Sequence, residues 1–479
     1  MTETLKLRHL IDGQEIAGTA TVLHHNPADP ADLRIELPEA DDALIRTANA
    51  AAAEACAEML KHGIEQRADA LAAISRNIVA ESEALAILIA RETGKVLGDA
   101  KGEVMRAARI FDFFAGETLR NVGERFASTR PGVTVEVEHG PVGVIGIITP
   151  WNFPIAIPAW KIAPAIAFGN AIVWKPSEIS SAVAAALMAI IARSSLPAGA
   201  VNLVLGAGAT GAALVQSEGL DAISFTGSER TGGAVRRVAM DKGIRVQTEM
   251  GGVNGLIVLA DADLGNAIEC VINGAFYGAG QRCTATSRII VEEAIADRLA
   301  AGIIERMKTL PMGDPRTAGT LIGPLASMKQ KELIAAQVRA VEALGLQPAV
   351  GGSAVDARHA FFPPTLFLDA PIDSPLTHEE IFGPVAALFR VPDFDAAIDA
   401  LNANRFGLSA GLCTRSLARA EQFKVRARAG MLMINQPTAG VDYHAPFGGT
   451  AASSYGPREQ GRMARQFYTN VKTSYQLPL

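Results

Sequence analysis

Apolar and polar positions change rhythm along the chain. Residues 40–118 carry alanine, leucine, glutamate and arginine at helical spacing, as in "IRTANAAAAEACAEMLKHG" and "QRADALAAISRNIVAESEALAILIARETGK". This period predicts amphipathic helices laid over another layer. Residues 131–139, "PGVTVEVEH", alternate as an exposed strand does. From residue 142 the alternation stops. "VGVIGII", "AIVWKP", "VNLVL", "AISF" and "RVQTEM" read as buried strands, separated by the helical segments "AWKIAPAIAFG", "AVAAALMAIIARSS" and 230–242. Buried strands alternating with helices predict βαβ units and a mostly parallel sheet. A second series begins near "GLIVLADA" and runs to about residue 430. The tail "TNVKTSYQL" is strand-like, and we expect it to pair with 131–139 in a two-stranded arm.

Composition narrows the classes. A chain of 479 residues exceeds one hydrophobic core and suggests roughly two to three domains. Net charge is −6, without a Lys/Arg run, so no nucleic-acid partner is expected. No apolar stretch is long enough for a membrane helix, and the start "MTETLKLRHLIDGQEIAG" lacks the basic-then-apolar pattern of a signal peptide. The expectation is a soluble cytoplasmic protein. Cys56, Cys270, Cys283 and Cys413 are scattered, with no C-x-x-C; neither a disulfide framework nor a metal site is expected. Cys56, Cys270 and Cys413 sit in apolar or alanine-rich surroundings and read as inert thiols. Cys283, in "GAGQRCTATS", is a buried filler, half of a disulfide, a metal ligand or a nucleophile.

Parallel sheets bind ligands beyond the carboxyl ends of their strands. Those ends carry "TPWNFP" (149–154), "KPSE" (175–178), "GAGATG" (206–211) and "TGSERTG" (226–232), which together look like a nucleotide cradle. "GAGATG" matches G-x-G-x-x-G, but a lone match is weak in a chain with 45 glycines. Glu178 is either a ligand of ribose hydroxyls or a solvated loop acid. Lys175 serves the same ribose, a phosphate, or neither. Glu249, in "QTEMGG", ends a strand and is a candidate general base. Asn152 offers an amide donor on a proline-stiffened loop, or is a plain turn residue. A thiol with an ordinary pKa of about 8.5 needs help to become a nucleophile, and a thioester needs a base to activate water.

At this point the chain resembles the aldehyde dehydrogenase superfamily. "TPWNFP", "FGNAIVWKPSE", "FTGSERTG", "EMGGVN", "GQRCTA", "HEEIFGP", "NQPTAGVDYHAPFGG" and "SYGPREQG" follow that family's order and spacing, from about residue 10 to the C-terminus. The resemblance implies an α/β fold with a Rossmann-type cofactor domain (1–118 and 140–250), an α/β catalytic domain (251–445) and a small β oligomerisation arm (119–139 and 458–479). It implies Cys283 as nucleophile, Asn152 with the Cys283 N–H as oxyanion donors, and Glu249 as general base, with Lys161 and Glu459 a proton path behind it. Thr149, Pro150, Trp151, Phe225 and Gly251 would line the cofactor. Glu380 and Phe382 would position the nicotinamide ribose and ring, and Lys175 and Glu178 the adenosine ribose. Gly227, Ser228 and Gly232 would admit the pyrophosphate, and Gly208 and Gly211 belong to the adenine-side loop. No metal is required. The cofactor is NAD or NADP, with NAD expected because a Glu178 carboxylate would repel a 2′-phosphate.

A proline after Tyr455–Gly456, with "NQPTAGVDYHAPFGG" and "FYTNVKTSY", is similar to the 2-oxoglutarate semialdehyde (2,5-dioxopentanoate) dehydrogenases. "FGGTAASS" departs from that pattern, lacking the basic residue usual in the loop. The expected substrate is therefore a short aldehyde with a distal carboxylate. The alternatives are another semialdehyde such as succinate semialdehyde, or a general aliphatic or aromatic aldehyde. A CoA-acylating enzyme would be expected to lack Glu249, and a non-enzymatic protein to lose Cys283 or Glu249. Arg282 either receives the carboxylate or pairs with a structural acid; Phe153, Trp160 and Phe447 line the substrate tunnel or are core. The family builds dimers and tetramers by adding strands across subunits, so a homodimer or homotetramer is expected.

Overall fold

The computed structural model describes residues 2–61, 63–120, 123–353 and 358–478; the other residues in the ranges above lie outside that description. The predicted buried strands form one sheet. In spatial order Arg245–Met250, Ala222–Gly227, Val144–Thr149, Ala171–Pro176 and Val201–Leu203 run parallel. The chain starts at the centre, moves outward through two strands, then crosses to the other side. That reversal beside Val144–Thr149 opens a crevice at the carboxyl ends, where such sheets take ligands. Antiparallel Ser454–Tyr455 lengthens one edge and sets Ser454 opposite Glu249. His9–Ile11 and Gln14–Ile16 lengthen the other edge.

The 40–118 region forms four helices, Asp42–Lys61, Ile64–Ala80, Ser82–Thr93 and Leu97–Thr118. Leu71, Ile74 and Ile78 are buried on one face of the second, and Val104, Ala107, Phe111 and Phe114 on one face of the fourth. With Ala156–Ala167, whose residues are all buried, they close the first apolar core. Within Glu459–Tyr468, grouped above with the arm, Ala464, Phe467 and Tyr468 are buried and join this core.

The second series gives a seven-stranded sheet in the order Pro348–Val350, Thr365–Phe367, Val385–Val391, Thr286–Glu292, Asn254–Val258, Ser409–Cys413, Met431–Ile434. All neighbours are parallel except the first pair, and apolar clusters cover it separately from the first core. The arm has three strands where two were expected. Thr469–Gln476 pairs antiparallel with Thr134–Pro141, and Glu124–Ala127 adds to the other side. Among the described residues no helix is long and apolar enough to cross a membrane.

Candidate active site

Cys283 lies between a turn at Tyr277–Gly280 and the strand Thr286–Glu292. Gly278, Ala279 and Gly280 all adopt left-handed backbone, with φ of 66°, 53° and 65°, which turns the chain sharply into the cysteine loop. At Gly280 a Cβ would lie 2.1 Å from the Gly383 carbonyl oxygen, so glycine is what lets the "EEIFGP" segment abut the loop. Asn254 Nδ2 donates to the carbonyls of Cys283 (2.8 Å) and Ala285 (2.9 Å), and Thr438 Oγ1 donates to that of Thr284 (2.7 Å). Asn152 Nδ2 reaches the same loop, donating to the Gln281 carbonyl at 3.1 Å. One of its two amide hydrogens is thereby used, and the other has no partner among the described residues. Burial, then the nearby Glu380 and Glu249 carboxyls, push the Cys283 thiol up to about 12, against backbone N–H groups that favour the thiolate.

Glu249 ends the strand Arg245–Met250 and is buried. Ser454 Oγ donates to its Oε2 at 2.5 Å. Burial and then Glu459 raise its carboxyl well above the ordinary range; Ser454, Lys161 and Arg458 oppose them. Behind it, Lys161 Nζ donates to Ser224 Oγ at 2.8 Å and contacts Glu459 Oε1. The backbones of Phe447 and Glu459 pair at 2.7 and 2.8 Å, which joins this buried network to the wall of a cavity.

That cavity, of about 400 Å³, reaches Cys283, Asn152, Phe153 and Arg282. Trp160 and Phe447 stack on its wall with ring centroids 5.4 Å apart. Sequence reasoning missed a wall: Lys95, with Asp99, Glu103 and Arg106 from the helix Leu97–Thr118. The available signal was their spacing, since positions i, i+4 and i+7 share one helix face. Arg282 is partly committed, its Nη1 donating to Asn273 Oδ1 at 3.4 Å and its Nη2 3.8 Å from Asp99 Oδ2. Arg106 has no hydrogen-bond or ion-pair partner among the described residues.

The other expected residues gather at the sheet crevice. Thr149 accepts from Trp174 Nε1 at 2.9 Å, fixing the strand end before Pro150 and Trp151. Trp151 meets Phe382 edge to face at 5.5 Å. A Cβ on Gly251 would lie 2.0 Å from Glu380 Oε2, and Gly252 N donates to Glu380 Oε1 at 3.1 Å; burial pushes that carboxyl up to about 7. Lys175 is buried and its Nζ lies 3.9 Å from Glu178 Oε2, its one polar contact among the described residues. Gly208 borders open space, and a Cβ on Gly211 would lie 3.9 Å from Lys175 Cδ. Ser228 caps the helix Glu229–Asp241, accepting from Thr231 N. Phe225 is 3% exposed, and its ring packs beneath the turn. Cβ atoms on Gly227 and Gly232 would lie 2.6 and 3.2 Å from its ring.

The profile of the aldehyde dehydrogenase family matches residues 16–474. The chain belongs to this family. It is 36% identical to the alpha-ketoglutaric semialdehyde dehydrogenase of Bacillus subtilis, over 100% of this chain and 99% of that one. It is also 36% identical to a betaine aldehyde dehydrogenase of Cereibacter sphaeroides, over 98% and 96%. A betaine aldehyde dehydrogenase of Staphylococcus aureus, solved in complex with NAD+, superposes with a TM-score of 0.95 at 30% identity, covering 98% of this chain and 95% of that one. The fold of the aldehyde dehydrogenase family is therefore shown, and relatives with two substrate names resemble the chain equally in identity.

Proposed function

We propose that this protein oxidises a short aldehyde bearing a distal carboxylate, with 2,5-dioxopentanoate the leading substrate, through a thioester on Cys283. The observation that carries the substrate reading is the charge of the cavity wall. Lys95, Arg106 and Arg282 face Asp99 and Glu103: three cations against two acids. Lys95 is paired with Glu103, and Arg282 stands beside Asp99, so Arg106 is left over. An unpaired guanidinium favours a carboxylate, which it binds by charge-assisted hydrogen bonds. A trimethylammonium tail meets the opposite field, and Lys95 Nζ already occupies the Phe153 ring face, 4.0 Å from its centroid, where a quaternary cation would seek cation–π contact.

The residues at the crevice fit a nicotinamide dinucleotide. The buried Lys175 ammonium with Glu178, the open space at Gly208 and the capped helix at Ser228 match a ribose, an adenine-side loop and a pyrophosphate. When bound, the nicotinamide supplies the two-electron acceptor that the oxidation requires. Glu178 and Glu39 both lie near Lys175, and Glu39 Oε1 accepts from Ala207 N at 3.2 Å. Two carboxylates there disfavour a 2′-phosphate, which supports NAD+ over NADP+.

Cys283, as its thiolate, adds to the aldehyde carbon. Asn152 and the Cys283 N–H stabilise the developing alkoxide. After oxidation Glu249 takes a proton from water as the water oxygen attacks the thioester carbon. The C–S bond breaks, the acid leaves and Cys283 is regenerated as thiolate, while Lys161 and Glu459 behind Glu249 form the path for the proton it took. Assembly through the arm into a dimer or tetramer is supported by its outer strand, where Val471 and Tyr475 are 64% and 63% exposed on an unpaired edge. The deciding experiment compares kcat/KM for 2,5-dioxopentanoate, succinate semialdehyde, betaine aldehyde and pentanal, each with NAD+ and NADP+. The reading expects the two carboxylates ahead; betaine aldehyde or pentanal ahead would overturn it.

A further inference from the structure

The cavity wall holds a second ionic feature whose contacts point toward Asn152. Glu103 is buried, with its side chain 1% exposed. Its Oε1 accepts from the backbone N–H groups of Ile155 (3.0 Å) and Ala156 (3.1 Å), the first amides of the helix Ala156–Ala167. Its Oε2 contacts Lys95 Nζ, eight residues back, in the loop between Ser82–Thr93 and Leu97–Thr118. Lys95 Nζ also donates to the Asn152 carbonyl at 2.7 Å and lies 4.0 Å from the Phe153 ring centroid. An ammonium and a carboxylate thus grip residues 152, 153, 155 and 156 from one side, while Asn152 Nδ2 holds Gln281 from the other.

We propose that Lys95 and Glu103 are positioning residues for the reaction: they fix the backbone of Asn152 so that its second amide hydrogen faces the aldehyde oxygen, which becomes the alkoxide when Cys283 attacks the neighbouring carbon. The chemistry favours this use over plain structural glue. Burying an ion pair is seldom the cheapest way to stabilise a core, and this pair spends its hydrogen bonds on the loop that carries Asn152 and on the helix start that follows it. Donors to a developing alkoxide act only if held at hydrogen-bond distance from it, and small misplacements cost rate steeply. Pro150 and Pro154 stiffen this loop, but among the described residues Lys95 is the one side chain that binds the Asn152 carbonyl. The proposal rests on the reading of Asn152 as the alkoxide donor, and not on which aldehyde is used.

The test is the pre-steady-state burst of reduced nicotinamide with an uncharged aldehyde such as pentanal, so an error in the substrate assignment does not affect it. Lys95→Met should slow the burst about ten- to a hundred-fold, a part of the hundred- to thousand-fold typical of losing an oxyanion donor outright. NAD+ affinity, read by titration of protein fluorescence, should stay unchanged. Lys95→Arg, which keeps a charged donor, should restore the burst to within about three-fold. Glu103→Gln, which keeps an acceptor for the two amides but loses the ion pair, should fall between, and it carries the test if Lys95→Met does not fold. Combined with Asn152→Ala, either variant should slow the burst little further, because coupled residues are non-additive. Multiplying effects, or an unchanged burst in both Lys95→Met and Glu103→Gln, would overturn the proposal. An unchanged burst in Asn152→Ala alone would refute the donor reading itself.

Discussion

Arg106 is the residue on which the substrate assignment turns, and Arg106→Gln perturbs it with little change of volume. A charge-assisted hydrogen bond contributes about 1.5–3 kcal/mol. Arg106 is half-buried, so solvent screens part of its field and the lower half of that range applies. The expected loss in kcat/KM is then about twelve- to forty-five-fold for 2,5-dioxopentanoate. Pentanal, with the same chain length and no carboxylate, should change by less than about two-fold, since no such bond is lost. Arg282→Gln gives an internal comparison, because it leaves Asp99 unopposed at the cavity mouth. It should also penalise the carboxylate, and adding Asp99→Asn should recover part of the loss. The assay is the initial rate of nicotinamide reduction over a range of each aldehyde. Equal losses on both aldehydes for Arg106→Gln, or none on either, would refute the reasoning.

Three further outcomes are expected. Because burial and the acids Glu380 and Glu249 raise the Cys283 thiol to about 12, its thiolate fraction grows with pH. Alkylation of the cofactor-free protein by iodoacetamide should therefore climb from pH 7 through 9 without levelling, and Glu380→Gln should lower the midpoint; a plateau near pH 7 would contradict this. Glu178→Gln should raise kcat/KM with NADP+ relative to NAD+ by about ten-fold or more, as removal of a repelling charge does; an unchanged ratio would remove Glu178 from the cofactor site. Light scattering should report a dimer or tetramer, and charge introduced by Val471→Lys in the outer arm strand should shift it toward monomer; an active wild-type monomer would contradict the assembly.

Much of the site was legible because its residues sit at strand ends, where local pattern and ligand chemistry coincide. Asn152 follows an apolar strand, Lys175 and Glu249 are each the last residue but one of theirs, and Cys283 follows a glycine-rich turn in left-handed backbone. What escaped is what tertiary packing assembles. Ser454 reaches Glu249 through a two-residue strand, too short for any period. Lys95, Glu103 and Arg106 belong to an amphipathic helical region whose charges read as solvated until the cavity lies against them. The N-terminal strands and Glu124–Ala127 have three to six residues each, and the last is exposed throughout, so no apolar alternation announces it. "VNLVL" gives a three-residue strand, Val201–Leu203, because Leu205 N donates instead to the His9 ring at 3.0 Å.

The central claim is a thioester on Cys283 that Glu249 helps to hydrolyse. Its most direct test is mass spectrometry of Glu249→Gln mixed with 2,5-dioxopentanoate and NAD+ and quenched in acid after the burst. A protein heavier by one acyl group, carried on the peptide containing Cys283, is the predicted result. An unmodified protein after a full burst of reduced nicotinamide, or an acyl group on Cys56, Cys270 or Cys413, would contradict it.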